Sequence, residues 1–250
     1  MTQGIIIVNK PMDWTSFDVC AKLRYLTKEQ KVGHSGTLDP MATGVLPVFI
    51  GKATKSIQYF MEGDKGYEAE MVLGERTDTG DARGKKQTTN DKNQTNNKIQ
   101  IPNDEVIIET VKKYIGEIEQ VPPMFSAKKI NGQKLYELAR KGIEIKREPK
   151  KIKIYDLKIT NILNISETEK RVSFSVTCSK GTYIRQLAMD IGDELGCGAY
   201  LSKLVRTYAH PFRLSQAINM ETIITLAQHG KLQDVIIRVE DVLDGQNKPA

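Results

Sequence analysis

Cysteine is scarce in this 250-residue chain: Cys20, Cys178 and Cys197 are odd in number, far apart and never in a Cys-x-x-Cys pair. That spacing supports neither a disulfide framework nor a structural zinc site, and the three read as buried thiols. Long apolar runs are also missing. None approaches the roughly 20 residues needed to cross a bilayer. With 27% charged residues and a mean hydropathy of -0.40, the composition excludes a membrane protein. The opening, Met1 to Lys10, runs directly into Ile5-Ile6-Ile7-Val8 without the basic start, long apolar middle and small-residue cleavage site of a secretion signal. A cytoplasmic protein is expected.

Several common catalytic signatures are absent as well. A phosphate-binding P-loop fails at Gly44 to Ala53, where the second glycine and Lys52 lie too far from the first and Ala53 replaces the magnesium-binding hydroxyl. A nucleophilic-serine elbow fails at Gly33-His34-Ser35-Gly36, because Thr37 stands where the motif needs glycine. No Gly-x-Gly-x-x-Gly turn follows a strand, which argues against a nicotinamide enzyme. His34, His210 and His229 are widely separated and none forms a helical ligand pair, so no metal site is indicated.

What is present is one chain with 39% apolar residues, enough for one sizeable core or a large domain with a small appendage. The net charge is +6, and its location says more than its size. Residues 125–158 hold eleven Lys and Arg against four Asp and Glu, leaving the rest nearly balanced. A polyanion footprint and a solvated lysine-rich surface both fit such a window. The segment 85–98 is Lys, Gln, Thr, Asn and Asp with nothing to bury, and reads as a mobile surface excursion.

The pattern predicts a strand over 4–8 and a helix from about Ser16, with Val19, Leu23 and Leu26 on one face and Thr15 or Ser16 as cap. Gly33, Gly36, Pro40, Gly44 and Pro47 mark residues 31–47 as an elaborate loop, followed by a strand over 45–50 and a helix over about 52–60. Further strands are expected at 67–73, 151–159 and 172–178, and helices at 107–115, after Thr182, and at 220–226. Amphipathic strands interleaved with helices, without regular βαβ units, indicate an α+β fold on a mixed, mainly antiparallel sheet.

The densest constellation is His34-Ser35-Gly36-Thr37-Leu38-Asp39-Pro40, continuing through Ala42, Gly44, Leu46 and Pro47. Such a loop is rigid enough to hold one reactive carboxylate, although an arbitrary Asp-Pro more often caps a turn. It occurs with Val8-Asn9-Lys10-Pro11, Lys65-Gly66-Tyr67, Arg76-Thr77-Asp78-Thr79-Gly80-Asp81 and Pro122-Pro123-Met124-Phe125-Ser126-Ala127-Lys128-Lys129. Cys178-Ser179-Lys180-Gly181-Thr182-Tyr183-Ile184-Arg185 and Leu195-Gly196-Cys197-Gly198-Ala199, with Leu201, Leu204 and Arg206, complete the set. In these blocks, in this order over residues 4 to about 210, the chain resembles the bacterial tRNA pseudouridine synthases of the TruB type.

The resemblance implies the pseudouridine synthase fold with a catalytic cleft, a tRNA T stem-loop as substrate and isomerisation of its uridine at position 55. It implies a catalytic Asp39, a base-stacking Tyr67, an arginine near the aspartate at Arg185, His34 close to the flipped nucleotide and Leu204 in the pocket wall. Tyr183 belongs with Arg185 among the substrate-binding residues, and Lys128 and Lys129 become RNA contacts in an insertion at about 121–150 that grips the T loop. No cofactor is needed, and a monomer is expected. Residues 1–215 would form the catalytic domain and 216–250 a short C-terminal extension ending in an unstructured tail from Asp244. A tRNA-remodelling protein without chemistry, or a synthase acting on another RNA, remain the alternatives.

Overall fold

The computed structural model describes residues 3–87, 100–126, 128–130 and 132–246. Most of the predicted surface excursion, from residue 88, therefore lies outside the described residues. The chain divides into two compact units, residues 1–67 with 205–250, and residues 68–204.

The first unit opens with β1 (Gly4–Lys10), α1 (Ser16–Thr27), β2 (Val32–His34), β3 (Thr43–Ile50) and α2 (Ile57–Met61), and ends in the first residues of β4 (Lys65–Leu73). The second unit continues β4 and carries β5 (Arg76–Thr77), β6 (Lys86–Gln87), α3 (Asp104–Lys112), β7 (Gly116–Gln120), β8 (Lys129–Ile130) and β9 (Gln133–Lys134). It then runs through α4 (Leu135–Arg140), β10 (Lys150–Ser166), β11 (Glu169–Cys178), α5 (Ile184–Glu194) and the start of β12 (Ala199–Ala209). The chain returns to the first unit with the end of β12, β13 (Phe212–Arg213), β14 (Ile218–Asn219), α6 (Met220–Gln228) and α7 (Val239–Gln246).

In the first unit β1 lies antiparallel to β3, from Gly4 opposite Ile50 to Lys10 opposite Gly44, and pairs in parallel with β14. The end of β12 joins β3 in parallel at Val205–Thr43 and Arg206–Gly44. Both faces of β1 and β3 are covered, so Ile5, Ile6, Ile7, Val8, Val45, Leu46, Val48, Phe49 and Ile50 are all buried. This explains their near-continuous apolar runs, which alternation alone does not read as strands. Phe60 packs its ring 5.2 Å from Phe49 and 5.6 Å from Phe212. Thr15 caps α1 through a reciprocal capping box with Asp18.

In the second unit β10 and β11 form a long antiparallel hairpin with register shifts, and β7 borders β10. Val172, Phe174, Val176 and Cys178 face inward, as their alternation predicts. Asn103 caps α3 by accepting the Val106 amide at 3.0 Å. All three cysteines are buried, and burial pushes the Cys20 thiol up to about 11. Among the described residues no helix is long and apolar enough to cross a membrane.

Three predicted boundaries are corrected. The loop placed at 31–47 contains β2 and the first residues of β3. Pro47 sits inside a strand because β2 pairing stops at His34–Val48, and its carbonyl accepts the Ser35 amide at 3.2 Å. The helix placed at 52–60 begins as a 3-10 turn over Gly51–Ser56. Residues 244–246, expected in an unstructured tail, close α7 instead. Residues 247–250 lie outside the described residues.

The aromatic cluster makes a test. Phe60→Ala removes a ring that is 2% exposed, and a loss of about 3–5 kcal/mol is expected in urea unfolding. A loss below about 1 kcal/mol would mean that the cluster does not hold this core.

Candidate active site

The predicted catalytic loop belongs to the first unit, where its backbone is tied down from several directions. Leu38 is buried, its amide donates to Ser16 Oγ at 2.9 Å, and the hydroxyl returns a 3.3 Å bond to the Leu38 carbonyl. The Asp39 carbonyl accepts the Ala42 amide at 3.0 Å, closing the turn over Pro40. Asp39 itself is half-buried. Asn9 accepts the Gly44 amide at 3.1 Å.

Two buried cations hold the same loop from within. Lys10 is fully buried and its ammonium donates to the carbonyls of Pro11 at 2.8 Å, Trp14 at 2.6 Å and Pro40 at 3.2 Å. Arg206, 1% exposed, donates from Nε to the Val45 carbonyl at 2.7 Å and from Nη2 to the Gly36 carbonyl at 3.1 Å. It also donates a hydrogen bond to the side chain of Tyr67. Burial pulls the guanidinium below its usual range, opposed by Tyr67. Both cations stand in the matched sequence blocks, yet nothing in their spacing distinguishes a buried cation from a solvated one.

Tyr67, at the end of this unit's part of β4, is 9% exposed, so most of its ring is covered. His34 ends β2 and is half-buried. Burial, and then the Arg206 charge, holds its imidazole below the usual range, which keeps it neutral at pH 7. Thus Asp39, His34 and Tyr67 fall in one unit, and Arg206 directly links the last of them to the loop.

The remaining candidates belong to the second unit. Arg185, in the first turn of α5, is buried rather than solvated: its side chain is 4% exposed. Nη1 donates to the Thr79 carbonyl and Nη2 to the Phe125 carbonyl, both at 2.7 Å, and Nε lies 3.9 Å from Asp81. Tyr183 precedes α5, and the buried Gln120 clamps it: the Tyr183 amide donates to Gln120 Oε1 at 2.8 Å, and Gln120 Nε2 donates back to its carbonyl at 3.1 Å. The structure thus explains the separate motif blocks around Thr79, Phe125 and Arg185, which meet at one guanidinium. Leu204 on β12 is buried.

Lys128 immediately precedes β8 and Lys129 begins it. Burial and the neighbouring Lys150 push Lys128 below its usual range. Other charges of the basic window are balanced: Lys151 and Lys153 stand opposite Glu119 and Glu117 across the β10–β7 ladder, and Arg147 pairs with Glu144 at 2.9 Å. With Lys134, Lys146 and Lys158 also beside carboxylates, the excess positive charge falls on Lys128, Lys129, Arg140, Lys141 and Lys150, and Lys128 and Lys150 face each other as like charges do at sites that receive an anion.

Comparison with known proteins decides the family. A model described as TruB family pseudouridylate synthase (N terminal domain) matches residues 24–184, and one described as tRNA pseudouridylate synthase B C-terminal domain matches residues 185–244. The chain belongs to the TruB family. The tRNA pseudouridine synthase B of Clostridium acetobutylicum is 46% identical over 247 residues, covering 99% of this chain and 80% of that protein. That of Bacillus subtilis is 40% identical, covering 98% and 77%. Among solved structures, a chain of a Cbf5-Nop10-Gar1 complex matches with a TM-score of 0.70 at 29% identity over 96% of this chain. This chain spans 61% of that longer one. The α+β architecture of this TruB-family chain is therefore the pseudouridine synthase fold.

Gly44 tests the loop's anchoring. Its φ is +100°, and an added Cβ would meet the Arg206 carbonyl oxygen at 2.2 Å. Gly196 has a comparable φ of +73° with nothing within 4 Å. In thermal melts Gly196→Ala should lose only the left-handed strain of about 1–2 kcal/mol, and Gly44→Ala clearly more. Equal losses would mean that β3 and β12 have room at this crossing.

Proposed function

We propose that this protein isomerises the uridine at position 55 of the tRNA T loop to pseudouridine, with Asp39 breaking the glycosidic bond. Membership of the TruB family carries the reading, and the anchored Asp39 loop supports it. The reaction cuts the bond between base N1 and ribose C1′, turns the freed uracil, and joins its C5 to C1′. It is redox-neutral and balances without a cofactor. A carboxylate suits the first step because it is anionic at neutral pH, able to attack carbon or take a ribose proton as positive character builds at C1′.

The target base is reached by flipping it out of the loop, which costs a few kcal/mol. Stacking on Tyr67 retains the detached uracil while leaving it free to turn, worth about 1–3 kcal/mol. We assign substrate contacts to His34, Tyr183, Arg185 and Leu204, and phosphate contacts to Lys128 and Lys129. The protein acts in the cytoplasm as a monomer, with residues 1–215 carrying the chemistry.

Incubation of the purified protein with unmodified tRNA, followed by mapping of pseudouridine nucleotide by nucleotide, tests the activity. Conversion at position 55 is expected. Tight binding without conversion would leave a tRNA-remodelling protein, and conversion elsewhere would reassign the substrate. Asp39→Asn should eliminate turnover and leave tRNA affinity within about three-fold, since the amide is nearly isosteric but a poor nucleophile and base. Arg185→Lys should be severely impaired, because a point charge cannot hold the Thr79 and Phe125 carbonyls as a planar fork does.

The basic turn is tested by a salt titration of tRNA binding. Changing Lys128, Lys129 and Lys134 together to Ala should weaken affinity at low salt and flatten the log-log salt dependence by about 0.7–0.9 per lost phosphate contact. The chemical step at saturating tRNA should slow much less. Parallel lines of equal height for parent and variant would reject the footprint.

A further inference from the structure

Arg206 combines three connections in one side chain. It reaches the Gly36 carbonyl, three residues before Asp39, and the Val45 carbonyl, six residues after it, so a single planar group spans the loop that bears the carboxylate. Its third connection is to the side chain of Tyr67 on a different strand. A guanidinium taken out of water is costly unless its donors are met. Two carbonyls could be joined more cheaply by a neutral donor or left to the strand ladder. The feature that calls for a rigid multi-donor fork is the simultaneous grip on a loop and a phenol.

Two glycines lie against the same arginine. Gly36 has φ +100°, and a Cβ there would lie 3.5 Å from Arg206 Nη1. Gly44 brings the β3 backbone against the backbone of Arg206 itself. Gly44 thus fixes where the side chain leaves β12, and its partners are set by the hydrogen bonds to Gly36 and Val45.

We propose that Arg206 is a positioning residue for the isomerisation: its hydrogen bonds to Gly36, Val45 and Tyr67 fix the Asp39 loop and the Tyr67 ring in one frame. The proposal rests on the reading of Asp39 as the reactive carboxylate and of Tyr67 as the stacking platform. Holding the phenol oxygen prevents the ring from tilting with the uracil as the base turns, so the platform stays level while its passenger rotates. Catalytic geometry of this kind is sensitive to displacements of about 1 Å, and its loss appears in turnover rather than in substrate affinity.

The test is a double-mutant cycle in the full chain, comparing the parent with Arg206→Lys, Tyr67→Phe and the double variant. Turnover of unmodified tRNA is the readout. Arg206→Lys should lower kcat by about 100-fold and leave KM within about three-fold, with the protein still folded by circular dichroism. Tyr67→Phe keeps the ring but removes the held oxygen. If the arginine acts through that oxygen, adding Tyr67→Phe to Arg206→Lys should cost little more than Arg206→Lys alone. Fully multiplicative losses would overturn the proposal, because they are the signature of two independent structural roles.

Should Arg206→Lys fail to fold, the guanidinium NMR signals of Arg206 in the folded Tyr67→Phe variant decide the matter. A shifted or faster-exchanging Arg206 resonance supports the link, and an unchanged one overturns it. Wild-type protein that forms no pseudouridine, or Asp39→Asn that still forms it, would instead refute the underlying site reading.

Discussion

The segment around Asp39, between β2 and β3, lies outside the strand ladders, so most of its backbone groups need partners from elsewhere in the unit. In the first unit this constraint is met by burying charge. Lys10 joins the carbonyls of Pro11 and Trp14, between β1 and α1, to that of Pro40 in the loop, and Arg206 offers its fork to two more. Each carbonyl that would be an orphan in an apolar interior is satisfied by a cation that would itself be intolerable there without it. The loop and its cations are thus mutually dependent.

The strands around them follow from the same requirement. β1 and β3, covered on both faces, carry the loop's anchors at their ends: Lys10 closes β1, and Thr43 and Gly44 open β3 opposite Val205 and Arg206. A glycine is required at that crossing, where β12 approaches too closely for any side chain. In the second unit Arg185 does comparable work, drawing the carbonyls of Thr79 and Phe125 together beside the Asp81 carboxylate. There too a single guanidinium joins segments far apart in sequence, while Gln120 holds the residue that begins its helix.

Much of this was legible before any coordinates. The alternation of β11, the helix that follows Thr182 and the cap at Thr15 are local properties, encoded within one turn or one pleat, and they appear where expected. The Asp39 loop stood out for its density of Gly and Pro. What the pattern concealed was whatever depends on a distant partner. Pro47 reads as a breaker until the end of β2 pairing before it is known. Lys10 and Arg206 read as ordinary basic residues, because their burial is completed by carbonyls 30 and 170 positions away. Leu204 and Arg206 share one face in the alternation of β12, and both are buried, the second only because carbonyls meet its charge.

The division between buried and exposed cations also matches the demands of the reaction. Isomerising a nucleoside within an intact polymer involves no transferred group and no redox equivalent, so rate must come from fixed geometry around a base that leaves and returns. Buried cations, tied to backbone carbonyls, provide fixed points that salt does not screen. In the function proposed above, the cations near Lys128 and Lys150 have the opposite purpose: phosphate contacts there would exchange counterions and be released again with each tRNA. One residue type thereby fills two roles that respond differently to ionic strength. Raising salt should first weaken capture and leave the chemistry of bound tRNA intact, an ordering that only a separation of the two cation populations produces.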